Sequence, residues 1–230
     1  MANIILIAGT HHGGWYWDSI ATNLRAMGNT VFTPTLSGLD DEDEYHGEIN
    51  LDTHIQDVLN LIEENRLETL VLVGSSYGGM VITGVADKTS AAIQSLIYLD
   101  ACLPLPGQSE WEMISDDLRS KFENSISDGK NIDVPQEWLT FRPRLMPHPL
   151  ATKKQPLNYS LTKFQELNKI YVHAEQGFGP GGDHFFAKGY EKVKNQLGWT
   201  TYELPAGHDL ASELPIEVLG IISKHASRSI

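Results

Sequence analysis

The chain has one cysteine, Cys102, among its 230 residues, which excludes an internal disulfide and any cysteine-built zinc site. Basic residues are scarce. Seventeen Lys and Arg stand against thirty Asp and Glu, a formal net charge of −13. Such a surface repels phosphate backbones and anionic bilayers, so neither nucleic acid nor a membrane is expected as a partner. No apolar run approaches the ~20 residues needed to cross a bilayer. The opening Met1-Ala2-Asn3-Ile4 lacks the basic stretch of a signal peptide, and a cytoplasmic address is expected. Repeats are absent, the glycine-rich loop at residues 8–15 has neither Gly-x-Gly-x-x-Gly nor a Walker lysine, and no His-Glu-x-x-His occurs, so no cofactor and no metal are expected. His11, His12, Asp183 and His184 form the one cluster imaginable as a metal site, without ligand spacing to support it. The acidic run at residues 40–44 lacks the spaced ligands of a calcium loop and reads as a solvated loop.

What is present is alternation. Short runs rich in β-branched residues at 3–8, 30–33, 69–73, 95–99, 169–174 and 199–204 read as strands. Between them, 15–27, 52–65, 77–86, 184–197 and 212–225 read as helices. The stripe Ile55, Val58, Leu59, Ile62 has helical spacing, and Asp52 or Thr53 can cap its start. This βαβα rhythm predicts an α/β fold, a mostly parallel sheet flanked on both faces by helices. It breaks between about 104 and 166, where Pro104, Pro106, Pro135, Pro143, Pro147, Pro149 and Pro156 forbid one long helix. Residues 1–104 and 167–230 therefore read as one core, and 105–166 as a helical lid inserted into it.

The strongest chemical signal is Gly74-x-Ser76-x-Gly78, set between a strand and a helix. A sharp turn there lifts one serine hydroxyl clear of the sheet, and the flanking glycines leave room for strained backbone. Ser76 is the expected nucleophile, and its neighbour Ser75 is expected to be structural. His208, just past the last strand in Gly207-His208-Asp209, is the expected general base. An oxyanion would be held by backbone N–H groups of Tyr77, after the nucleophile, and Thr10, in the glycine-rich loop Ala8-Gly9-Thr10-His11-His12-Gly13-Gly14-Trp15.

At these residues the chain resembles the small lid-bearing α/β-hydrolases, the group of plant methyl-salicylate-type esterases, hydroxynitrile lyases and bacterial carboxylesterases. The matching pieces are residues 5–17, residues 74–79, Tyr98-Leu99-Asp100-Ala101 and Gly207-His208; the lid matches poorly. Ala8 replaces the first histidine of the family's His-Gly-Ala-x-His-Gly-Gly-Trp loop. The plant enzymes place their acid after the penultimate strand, where this chain has Gln176. Asp100, which bacterial relatives share, is the expected acid, with Glu175 and Asp183 as alternatives. The resemblance implies a serine carboxylesterase acting on a small apolar or aromatic ester through an acyl-enzyme. Gly9, His12, Trp111, Trp138 and Phe141 are expected at the substrate, together with Met113 and Met146. A hydroxynitrile-lyase-like reaction is disfavoured, because the lyases carry threonine where this chain has Gly9 and lysine where it has Asp209, leaving no cation for cyanide. A non-catalytic ligand-binding protein is the third reading. A homodimer is compatible with the apolar lid.

Overall fold

The computed structural model describes residues 1–40, 48–178 and 185–227. In chain order the elements are β1 (Asn3–Ile7), a 3-10 turn (Gly14–Trp17) entering α1 (Asp18–Ala26), β2 (Thr30–Phe32), α2 (Leu51–Glu64), β3 (Thr69–Ser75), α3 (Gly78–Lys88) and β4 (Ala92–Leu99). A stretch of short elements follows: α4 (Glu110–Met113), α5 (Asp116–Asn124), β5 (Asn131–Ile132), α6 (Gln136–Phe141), β6 (His148–Pro149), α7 (Leu150–Lys154) and α8 (Leu161–Gln165). The alternation then resumes with β7 (Lys169–Ala174), α9 (Phe185–Val193), β8 (Trp199–Leu204), α10 (Leu210–Glu213) and α11 (Pro215–Ala226).

Six strands pair in the order β2-β1-β3-β4-β7-β8, and every pairing is parallel. All their carboxyl ends therefore meet one edge of the sheet. The order reverses beside β1, which leaves a crevice at that edge between the loops after β1 and β3. Both faces of the sheet are covered, so the central strands are apolar on both faces through most of their length. In β1, Ile5 and Ile7 face α2 and α3, whereas Ile4 and Leu6 face α1 and α11. All four are fully buried.

Several boundaries differ from the sequence reading, and three of them have a clear local reason. β4 begins at Ala92 rather than 95, because the polar Gln94 and Ser95 are satisfied inside the fold. Both donate to the His225 carbonyl near the end of α11, at 3.1 and 2.9 Å. Asn50, not Asp52 or Thr53, caps α2. Its Oδ1 accepts the Thr53 amide at 3.1 Å, while Thr53 Oγ1 accepts the Asn50 amide. The last expected helix is two, because Pro215 cannot continue α10 and instead opens α11. Among the described residues no helix is long and apolar enough to cross a membrane.

The tightest packing surrounds α3. A Cβ added at Gly79 would lie 2.2 Å from the Cys102 carbonyl oxygen and 2.9 Å from its amide nitrogen, a backbone obstruction that no rotamer relieves. Gly220, in α11, has nothing within 4 Å of such a Cβ. Gly79→Ala is thus expected to lower unfolding free energy by about 1–3 kcal/mol or more. Gly220→Ala is expected to raise it by about 0.5–1 kcal/mol through helix propensity. Urea midpoints at constant slope measure both.

Candidate active site

Ser76 follows β3 immediately and has φ +54°, a left-handed conformation that costs a non-glycine residue about 1–3 kcal/mol. Its surroundings hold it there. The Ser76 amide donates to Leu99 O at 3.3 Å, and Ser76 O accepts the Cys102 amide at 2.9 Å. A Cβ at Gly74 would meet Gly78 C at 2.6 Å, one at Gly78 would meet Ile7 O at 2.7 Å, and one at Gly9 would meet Ser76 Cβ at 2.8 Å. The glycines let the loop after β1, the turn after β3 and the start of α3 touch through their backbones. Tyr77 leads into α3, so its amide sits at the positive end of that helix. The Tyr77 ring points away into the core.

Asp100 ends β4 with φ +40°, and its amide donates to Val172 O at 2.7 Å. The carboxylate is 1% exposed. Its Oδ2 lies 2.7 Å from His208 Nδ1, and its Oδ1 takes His173 Nδ1 at 3.2 Å and the Ala174 amide at 3.3 Å. Burial opposes the charge, but the hydrogen bonds from His173 and His208, with the Ala174 amide, hold the Asp100 pKa below the usual carboxylate value. An ionised Asp100 accepts from Nδ1–H of His208, which leaves the Nε2 lone pair of that imidazole able to take a proton. The His208 ring is stacked on Phe186 at 4.6 Å and flanked by Phe178 at 4.2 Å. Of the other acids considered, Glu175 is exposed and Asp183 lies outside the described residues. Gln176 donates its amide to Pro205 O at 3.1 Å.

A cavity of about 680 Å³ opens at this edge, lined by Gly9, Thr10, His12, Ser76 and His208, and by Trp138 and Phe141. Three placements correct the sequence reading. Trp111 is not among the lining residues; it stacks on Phe122 at 6.3 Å and has the Lys154 ammonium over its ring at 4.9 Å. Phe122 reaches the cavity instead, along with Phe178, Phe185 and Phe186. Met113 and Met146 pack against the core. Ser75, expected to be purely structural, also lines the cavity and is hydrogen-bonded to Tyr16. Nor does the cavity lack a cation. Arg142, at the end of α6, pairs with Asp209 and reaches His12 Nε2 at 3.2 Å, while Tyr16 donates to the other Asp209 oxygen at 2.8 Å. Burial alone would raise the Asp209 pKa, but Tyr16 and Arg142 bring it below the ordinary value.

Sequence reasoning missed a second buried pair. Lys153, on α7, is fully buried and donates to Glu110 Oε1 at 2.8 Å, Glu110 Oε2 at 2.9 Å and Thr10 Oγ1 at 2.7 Å. Its only sequence signal was position, three residues after the apolar Leu150 and so on the same side of α7. The histidines beside it are held neutral. His12 gives Nδ1–H to Thr10 O at 2.8 Å, so its Nε2 accepts from Arg142. His11, with φ +68°, gives Nδ1–H to Met146 O at 2.8 Å. His148 accepts the His11 amide at Nδ1 and bonds Thr152 Oγ1 through Nε2 at 3.0 Å. Of the imagined metal cluster, His11 and His12 make these bonds, whereas Asp183 and His184 are outside the described residues, as are 41–44 of the acidic run.

Comparison with known proteins identifies the family. A model of the alpha/beta hydrolase family matches residues 4–217. The carbendazim hydrolyzing esterase of Nocardioides sp. (strain SG-4G) is 35% identical over 240 residues, spanning 95% of this chain and 97% of that protein. Methylesterase 3 of Arabidopsis thaliana is 25% identical over 181 residues, spanning 75% of this chain and 66% of that one. Among solved structures, an extracellular alpha/beta-hydrolase from a Paenibacillus species shares the fold, with TM-score 0.82 at 23% identity over 100% of both chains.

The neutral histidines give the site a pH signature. Burial, with smaller effects from Lys153 and His12, lowers the His11 pKa from 6.5 to about 4, and burial lowers those of His12 and His148 as well. Between those two values the unfolded chain binds the His11 proton and the folded chain does not. Stability is therefore complete above about pH 6.5 and falls as pH drops toward 4, by about 3 kcal/mol from His11. Urea unfolding across this range should show the slope, and His11→Gln should flatten it while lowering stability at pH 7.

Proposed function

Because the chain belongs to the alpha/beta hydrolase family, we propose that it is a serine carboxylesterase whose triad is Ser76, His208 and Asp100. One observation carries the reading: His208 is bonded to the buried Asp100 at 2.7 Å and faces the same cavity as a serine held in left-handed backbone. Ser76 Oγ attacks the ester carbonyl while His208 Nε2 takes its proton. Charge that builds on the carbonyl oxygen is met by the N–H groups of Thr10 and Tyr77, the latter aided by α3. The tetrahedral adduct collapses as His208 returns the proton to the leaving alcohol, and water, activated by the same imidazole, releases the acid. The stretch from α4 to α8 acts as the lid.

The aromatic walls from Phe122, Trp138, Phe141, Phe178 and Phe186 favour an apolar or aromatic ester of modest size. The esterase and methylesterase names of the relatives support ester hydrolysis. Arg142 counts for little toward cyanohydrin lysis, since Asp209 and His12 already hold its guanidinium.

Purified protein is expected to hydrolyse 4-nitrophenyl acetate and butyrate, with no effect of chelator and complete loss in Ser76→Ala. Asp100→Asn should lower kcat by about 10³–10⁴, since the wrong imidazole tautomer then faces the serine. Glu175→Gln should leave kcat unchanged. Wild-type turnover no greater than that of Ser76→Ala overturns the reading.

A further inference from the structure

Glu110 and Lys153 form an ion pair removed from solvent, with side chains 4% and 0% exposed. Replacing such a pair by apolar residues of similar volume is often neutral or stabilising. Stability alone is then a poor account of why a charged pair, with its Glu110 in the lining and its Lys153 behind it, stands beside a cavity dominated by aromatic rings. Its geometry is informative. The Lys153 ammonium has three protons, and all three are committed, two to Glu110 and one to Thr10. The Glu110 carboxylate accepts only from Lys153 among the described residues, through one bond at each oxygen. Each oxygen has a second lone pair, and Glu110 lines the cavity.

Position adds to this. Thr10 Oγ1 and the Glu110 oxygens share one ammonium, so the carboxylate lies no farther than two hydrogen-bond lengths from Thr10. Thr10 supplies a proposed oxyanion donor, so the carboxylate sits a few atoms from the ester carbonyl. The backbone of α4 is fixed there by Ser109 and Glu112, which cap each other's amides. The pair is neutral as a whole, which gives an ammonium little reason to enter, while the free lone pairs still suit an uncharged donor.

We propose that Glu110 is a specificity residue that accepts a hydrogen bond from a neutral N–H group of the substrate, borne a few atoms from the scissile ester. The preferred substrates are thus esters that carry an amide or similar N–H, rather than hydrocarbon esters. This rests on the esterase reading above. A buried acceptor discriminates strongly, because a substrate without the donor leaves it unpaired once water has been displaced.

The test compares substrates that differ by N–H against CH₂. Ethyl N-acetylglycinate is paired with ethyl 4-oxopentanoate, which varies the acyl side, and 2-acetamidoethyl butyrate with 4-oxopentyl butyrate, which varies the alcohol side. Acid release at constant pH gives kcat/KM for each. In at least one pair the N–H ester is expected to be preferred by about tenfold or more. Glu110→Leu alone would strand a buried lysine, so the informative variant is the double change Glu110→Leu with Lys153→Met. Its ratio should fall to near one, whatever its absolute rate. Wild-type ratios near or below one in both pairs overturn the proposal, as does a preference that survives the double change. If the wild type cleaves 4-nitrophenyl butyrate but none of the four esters, this inference fails and the esterase reading stands. If it cleaves neither, the esterase reading itself fails.

Discussion

Backbone-to-backbone approach at the carboxyl edge of the sheet is the constraint on which the rest of the molecule turns. Gly9, Gly74, Gly78 and Gly79 each stand where a Cβ would come within 3 Å of another segment's atoms. Three loops are pressed together as a result, and the strain appears in their neighbours. Among the described residues the non-glycine residues with positive φ are His11, Arg66, Ser76 and Asp100, and all but Arg66 belong to this edge. Unfavourable local conformations persist only where packing over-determines them. Here the packing is the buried parallel sheet, with its two apolar layers locking the strand ends in register.

On that platform, protons are distributed with little ambiguity. Asp100 takes hydrogen bonds on both oxygens, which keeps it ionised and selects the Nδ1–H form of His208. His11, His12 and His148 lie near Lys153 and Arg142 and are neutral, each tautomer chosen by a carbonyl, amide or hydroxyl partner. Beside the Asp100 carboxylate, the site's lysine and arginine are each paired with an acid, Lys153 with Glu110 and Arg142 with Asp209.

Much of this was readable from the amino acids because local chemistry and global fold agree. Strands β7 and β8 fall where the β-branched runs place them, and Gly74-x-Ser76-x-Gly78 demands its strand–turn–helix context. Asp100 and His208 were legible through their places at strand ends, although only the folded chain separates Asp100 from Glu175. What stayed hidden depends on contacts distant in sequence. Gln94 and Ser95 look unlike strand residues until the end of α11 receives them. Trp111 and Phe122 are equivalent as aromatic residues, and only the turn between α4 and α5 decides which one faces the cavity. Lys153 reads as a surface lysine until Glu110 and Thr10 surround it.

The ties between the stretch from α4 to α8 and the sheet edge also bear on how freely that stretch could be exchanged. Lys153 grips the loop after β1, Arg142 grips the residue beside His208, and Met146 receives His11. Each tie spans more than sixty positions of sequence, so the two partners must change together. A stretch grafted here from a distant hydrolase would leave Asp209 without its guanidinium and Thr10 without its ammonium. Exchanging the stretch from α4 to α8 as a module would therefore require matching changes in the loops it covers.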